Sequence, residues 1–256
     1  MALDHALARE LQPEGAVLRL YEWSRPTLSF GRNQRARDAY DEAHIRAGGF
    51  DLVRRPTGGR AVLHDQELTY SVVLPLRAHG GLREAYRRIN EGLVAGLRSL
   101  GVPAEMSGAV GPNLPPEAGA CFAAPAEGEV VVAGRKLVGS AQARVEGSLL
   151  QHGSLLLRGD QDRVLRLERE SGGGVGSPEG PSGLPVAELP AATPFITLSE
   201  VLGKVPARDR LVEALVSGVT EVLGGSWAET GPSEQESEVA EELRKLYESS
   251  EWTWRR

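Results

Sequence analysis

The sequence predicts an α+β fold in which mixed or antiparallel β-sheets are flanked by helices. Three observations carry that expectation. Apolar residues recur at helical spacing at Leu3, Ala6, Leu7 and Leu11, and again over five turns at Leu82, Tyr86, Ile89, Leu93, Leu97 and Leu100. Between Glu129 and Leu157 the pattern changes to a meander, with turns at Ala133-Gly134 and near Glu146-Gly147, whose strands should pair as antiparallel neighbours. The length, 256 residues with 41% hydrophobic and 25% charged, suits one elaborated domain better than two complete ones.

Taken in order, the first helix is stopped by Pro13 and Gly15 and followed by a strand over Val17 to Trp23. Leu28 to Gly31 gives another short strand, and Ala36 to Ala47 predicts a polar-faced helix closed by Gly48-Gly49. Thr69 to Leu74 alternates as a strand, and the long helix that follows ends at Gly101 and Pro103. Gly111 to Gly128 has neither period and reads as a long loop, a kind usually functional or disordered. The stretch 171–190, rich in Gly, Ser and Pro, is expected to be a flexible connector within a single domain spanning 1–256. Beyond it, 191–256 is a helical segment, with helices marked by Leu211 to Val222 and Val239 to Tyr247.

Composition excludes several functions. No apolar run approaches the roughly 18 residues of a membrane span, and the start of the chain lacks the basic and apolar regions of a secretory signal. One cysteine permits neither an internal disulfide nor a cysteine zinc cage, which points to a reducing cytoplasm. A net charge of −6 disfavours nucleic acid as a partner. Lysine is rare, with Lys136, Lys204 and Lys245 the only three among 29 basic residues.

The densest local signal is Arg54-Arg55-Pro56-Thr57-Gly58-Gly59-Arg60-Ala61-Val62-Leu63-His64-Asp65. Paired arginines before a Thr-Gly-Gly turn set fixed positive charge beside backbone that a ligand can approach closely, although a tight turn with solvated arginines reads the same way. His64 and Asp65 are adjacent on an extended stretch, so they diverge and cannot share a metal ion. His64 and His152 each suit either a catalytic role or a structural hydrogen bond, and no metal site is assigned. Lys136 stands beside Arg135 in a chain that otherwise favours arginine. A partly buried lysine can release its proton, whereas an exposed one would carry no such meaning. Cys121 lies among small residues without apolar periodicity, fifteen residues from Lys136, so a reactive Cys/Lys pair competes with an inert buried thiol.

These residues resemble the biotin/lipoate A/B protein ligase family. The Arg54 to Asp65 string, with Leu68, Tyr70 and Ser71 behind it, is similar to that family's signature loop. Gly134-Arg135-Lys136-Leu137-Val138-Gly139-Ser140-Ala141-Gln142 is similar to its lysine strand, and His152-Gly153-Ser154 to the strand that follows. The match of Cys121-Phe122, Pro125 and Lys136 is best with the cysteine-dependent octanoyltransferases of lipoate biosynthesis, though a bulkier aromatic would be expected near Ala124 to Gly128.

The resemblance implies the catalytic-domain fold of that family and an acyltransferase of protein lipoylation. Octanoyl would pass from acyl carrier protein, through an acyl-thioester on Cys121, to a lysine of a lipoyl-accepting protein, either the glycine-cleavage H protein or a dehydrogenase lipoyl domain. No cofactor would be needed, since aminolysis of a thioester runs downhill. Lys136 would act with Cys121, and Arg54, Arg55, Thr57, Gly58, Gly59, His64, Tyr70, Gly139, Ser140, Ala141, His152 and Gly153 would surround the substrate. Burying an octanoyl chain, at about 0.8 kcal/mol per methylene, contributes roughly 5 kcal/mol. Arg83, Arg87 and Arg88 form a basic face suited to acidic partners. Two relatives of this activity stay open: an ATP-dependent lipoate ligase, and an amidotransferase working from protein to protein.

Overall fold

Polar and apolar residues alternate along Glu67-Leu68-Thr69-Tyr70-Ser71-Val72, and that alternation organises the molecule. The computed structural model describes residues 1–108, 122, 126–168 and 193–256. Its first sheet has six strands, β1 (Val17–Tyr21), β5 (Glu67–Pro75), β9 (Ser148–Leu156), β8 (Arg135–Val145), β7 (Val130–Val132) and β6 (Glu105–Met106), in that spatial order and all antiparallel. Leu68, Tyr70, Val72 and Leu74 face one side of it, where α4 (Leu82–Ser99) and α7 (Arg208–Leu223) cover them with Ile89, Leu93, Leu97, Leu211, Leu215 and Val219. Glu67, Thr69 and Ser71 face the other side and are also buried. A strand buried on both faces, with a polar row on one of them, marks that face as the lining of a site.

Opposite the polar row lies a three-stranded sheet ordered β3 (Asp51–Arg54), β2 (Thr27–Phe30) and β4 (Val62–His64), with β2 and β3 parallel and β2 and β4 antiparallel. Phe30, Tyr40, Ile45, Phe50, Leu63 and Val164 form its separate core. The helix α1 (Ala2–Arg9) packs Leu7 and Ala8 against Val73 and Leu150 at the far end of the polar face. The mixed and antiparallel sheets with flanking helices are thus as the sequence predicts.

Three local expectations are corrected. The helix expected over 36–47 is two short ones, α2 (Ala36–Ala39) and α3 (Glu42–Ala47), because Tyr40 is extended (φ −130°, ψ 152°) and Asp41 caps α3 by accepting from His44 N at 2.9 Å. The break sends the Tyr40 ring to within 5.0 Å of Phe30. Leu82, assigned to the apolar face of the long helix, is 37% exposed at its first turn. In the carboxyl-terminal segment, residues 193–197 are extended before α6 (Leu198–Leu202), α7, α8 (Glu234–Glu248) and α9 (Ser250–Thr253). Cys121, most of the 111–128 loop and the connector at 171–190 lie outside the described residues.

Candidate active site

The polar row of β5, the facing residues of β8 and β9 and the segment 55–64 enclose a narrow cleft. Register places Gly139 opposite Ser154, Ser140 opposite Gly153 and Ala141 opposite His152, and all six line it with Arg55, Val62, His64 and Thr69. Gly139, which has no side chain, and the small Ala141 keep the floor open, while a Cβ on Gly153 would meet the Gly139 carbonyl oxygen and the Tyr70 ring behind it. The signature loop is held against β2 by close backbone packing: a Cβ on Gly31 would overlap the Gly59 carbonyl oxygen, so position 31 has to be glycine.

His64 is fixed from both ring nitrogens. Nδ1 lies 2.7 Å from Glu67 Oε1 and Nε2 lies 2.6 Å from Ser29 Oγ, while Trp23 stacks on the ring at 4.2 Å. Glu67 can only accept when ionised, so a neutral ring carries its proton on Nδ1 and Nε2 accepts from the Ser29 hydroxyl. Arg55 Nη1 donates to Ser29 Oγ at 2.6 Å, and Arg55 Nη2 donates to the carbonyls of Gly58 and Arg60. The chain Glu67, His64, Ser29, Arg55 therefore ends on the Thr-Gly-Gly turn. Ser29 is fully buried, which excludes its hydroxyl as a nucleophile despite its triad-like neighbours. His64 and Asp65 diverge as expected, Asp65 pairing with Arg163 at 2.6 Å.

His152 Nε2 lies 2.5 Å from Thr57 Oγ1, which ties β9 to the signature loop. Burial pushes its pKa down to about 3, against the opposing pull of Asp4, so the ring is neutral in ordinary buffers. Its Nδ1 has no hydrogen-bond partner among the described residues. Asp4 accepts from Arg19 Nη1, Ser71 Oγ and Tyr21 Oη at 2.5, 2.8 and 3.2 Å. Burial alone would raise its carboxyl, yet the terminal ammonium and Arg19 hold it at about 2.

Lys136, the second residue of β8, is buried. Its Nζ lies 2.7 Å from Glu129 Oε1 and 4.9 Å from the centre of the Phe122 ring. The backbone of Lys136 is clasped by the extended 193–197 stretch, donating to Pro194 O at 2.9 Å and accepting from Ile196 N at 3.0 Å. An added Cβ on Gly139 would stand 2.9 Å from Phe122 Cζ and 3.1 Å from Lys136 Cε, so this lysine, this ring and the cleft floor adjoin. Phe122 is the residue bonded to Cys121 in the chain. Behind the floor, Tyr70 Oη joins Ser140 Oγ at 2.6 Å and accepts from Gln151 Nε2 at 2.8 Å, and Gln151 reaches Asn90 Oδ1 at 3.0 Å.

Two expected positions serve otherwise. Arg54 points away from the cleft, spending its guanidinium on the backbone oxygens of Gly31, Arg32, Gln34, Thr253 and Arg256 at 2.6, 3.4, 2.9, 2.8 and 3.3 Å. Being fully buried in backbone, it orders the loop and the carboxyl-terminal segment instead of meeting a substrate. On the basic helix face, Arg83 pairs with Glu127 at 3.5 Å and Arg87 with Glu84 and Glu91, so carboxylates offset two of the three arginines, while Arg88 bonds His79 Nδ1 at 2.6 Å. Sequence reasoning overlooked Ser29, Glu67 and Glu129. The polar alternation in β5 was the available signal for Glu67; Glu129 precedes β7 with no pattern of its own.

The segments that meet at the cleft are those matched by known proteins. The lipoyl protein ligase A/B catalytic domain model matches residues 1–217. The chain belongs to the lipoyl protein ligase A/B family. Within that family it is 39% identical to the octanoyltransferase LipM of Kyrpidia tusciae, over 100% of this chain and 94% of that protein. It is 38% identical to the octanoyltransferase LipM of Symbiobacterium thermophilum, over 100% of this chain and 93% of that one. Among solved structures, the bi-partite lipoate protein ligase of Thermoplasma acidophilum superposes with a TM-score of 0.76 at 26% identity, covering 99% of this chain and 89% of that chain. Among the described residues no helix is long and apolar enough to cross a membrane, and no group of three His, Cys, Asp or Glu side chains is placed to hold a metal ion.

Proposed function

We propose that this chain is an octanoyltransferase of protein lipoylation, acting as one catalytic unit through Cys121 and Lys136. The donor is octanoyl acyl carrier protein and the acceptor a lysine of a lipoyl-accepting protein. The observation that carries the reading is the burial of Lys136 against Phe122 and the cleft floor, next in the chain to the molecule's one thiol. The full-length relatives named octanoyltransferase support the same choice.

In the first step the Cys121 sulfur bonds to the octanoyl carbonyl carbon, the carbon–sulfur bond to the carrier breaks, and the Cys121 proton leaves on the carrier thiol. In the second, the neutral amine of the acceptor lysine bonds to that carbon, the bond to Cys121 breaks, and the amine's spare proton returns to the cysteine. A positive Lys136 favours the thiolate and balances charge developing on the carbonyl oxygen. Backbone donors near Gly58, Gly59 and Ser140 are the candidates for holding that oxygen, and Arg55 and His152 position the turn that carries two of them.

Intact-mass analysis tests the reading. Incubation with octanoyl carrier protein should add one octanoyl group, and Cys121→Ser should abolish the hydroxylamine-sensitive adduct and the transfer together. Full turnover by Cys121→Ser rejects the assignment. An arm with free octanoate, ATP and acceptor should give no product; product there identifies an ATP-dependent ligase. The structural relative from Thermoplasma acidophilum is named a lipoate protein ligase.

A further inference from the structure

Glu129 is a buried carboxylate that the transfer chemistry above does not use. Its Oε1 lies 2.7 Å from Lys136 Nζ, both side chains are at most 5% exposed, and its Oε2 accepts from Ala126 N at 2.7 Å. Its backbone N donates to Ser107 Oγ at 3.1 Å and its carbonyl accepts from Ser107 N at 2.8 Å, which fixes the residue before β7 begins. The carboxylate is thus anchored independently of the lysine it meets. A flexible four-carbon stem is held at its tip by a group that cannot itself swing away.

We infer that Glu129 is a positioning residue for the acyl transfer, holding the Lys136 amine against the Phe122 side of the cleft. The inference rests on the Cys121 and Lys136 reading. With the anchored carboxylate 2.7 Å away, Lys136 acts in the transfer as a fixed cation and not as a proton acceptor. Arg135, its neighbour on β8, turns to Thr193 and Glu200, with Nη2 3.0 Å from Glu200 Oε1. The extended 193–197 stretch brings Pro194, Phe195 and Ile196, none of them titratable. From β5, Tyr70 is pushed up to about 12 by burial and stays neutral.

The test is the pH profile of single-turnover octanoylation, in full-length wild type, Glu129→Gln and Glu129→Asp, from pH 6 to 10. Glutamine keeps the size and the acceptor for Ala126 N but removes the charge. The alkaline limb should move to lower pH by roughly one pH unit or more in Glu129→Gln. The rate at the optimum should fall on the order of 10-fold or more, with the KM for octanoyl carrier protein little changed. Glu129→Asp, which restores the charge, should return the limb toward its wild-type place. A limb that stays put in Glu129→Gln while the rate falls equally at all pH values reduces Glu129 to a packing residue and overturns the inference, as does an unchanged rate. If Glu129→Gln does not fold, the rate of Glu129→Asp at its optimum decides: a fall with the limb in its wild-type place supports positioning, and a rate equal to wild type despite the shortened reach rejects it. Wild-type protein that forms no Cys121 adduct instead rejects the parent reading, so the two failures are distinguishable.

Discussion

Arg54 and Arg55 are neighbours with the same chemistry and opposite duties. Both were legible as important, because two arginines before a Thr-Gly-Gly turn are an unusual expense of charge, but their division of labour depends on strand pleat. Adjacent residues at the end of β3 must face opposite sides, and only the fold determines which side holds the cleft. Arg54 bonds five backbone oxygens from two distant segments; a lysine's tetrahedral ammonium cannot serve that planar fan. Arg54→Lys should therefore leave buried carbonyls unsatisfied and cost about 2 to 3 kcal/mol. In a chain of this size that lowers Tm by roughly 4 to 10 °C, read by calorimetry. Had Arg54 contacted substrate, the same variant would lose transfer at unchanged Tm. Ser29 and Glu67 escaped notice for a related reason: one polar residue in a strand looks solvated until its partner strand covers it; Glu129, just before β7, has no periodicity to mark it.

At the level of elements, periodicity identified the long helix but said nothing of how closely another would approach. Gly92 and Gly96 on α4 face Gly218 and Val219 on α7, and a Cβ on Gly92 would stand 2.6 Å from Val219 Cα. The glycines let two backbones touch over the buried face of the large sheet, the opposite side from the cleft. In an exposed helix, glycine to alanine is worth roughly 1 kcal/mol of stability, but here the added methyl meets backbone that cannot yield cheaply. Gly92→Ala and Gly218→Ala should each destabilise by about 1 to 3 kcal/mol in urea titrations. A stabilising result in either would show that the helices separate freely. The β-meander was equally legible, since alternating residues and glycine turns are local signals. The 193–197 stretch beside Lys136 was not, because its partner lies nearly sixty residues away and nothing local encodes the pairing.

Across the whole molecule, the site is assembled where α1, β1, β5, β9 and the signature loop converge on two buried titratable groups. Asp4 binds β1 through Arg19 and Tyr21 and β5 through Ser71, and His152 binds the loop through Thr57. Folding holds His152 at about 3 where the unfolded chain sits near 6.5, so between those values the unfolded state takes up the extra proton. Stability is then complete above pH 6.5 and falls as pH drops toward 3, by at most about 1.4 kcal/mol per pH unit. Asp4, lowered to about 2 from 3.8, adds stability that is intact above 3.8 and lost only as pH falls through 2. The two windows thus overlap only between about 3 and 3.8, and the histidine's opens first. His152→Gln retains an amide that can bond Thr57 but takes up no proton, so its stability, measured by urea unfolding from pH 7 to 4.5, should decline less steeply than that of wild type. Parallel curves would mean that His152 is solvated in the folded chain, and the acid sensitivity of this junction would have to come from elsewhere.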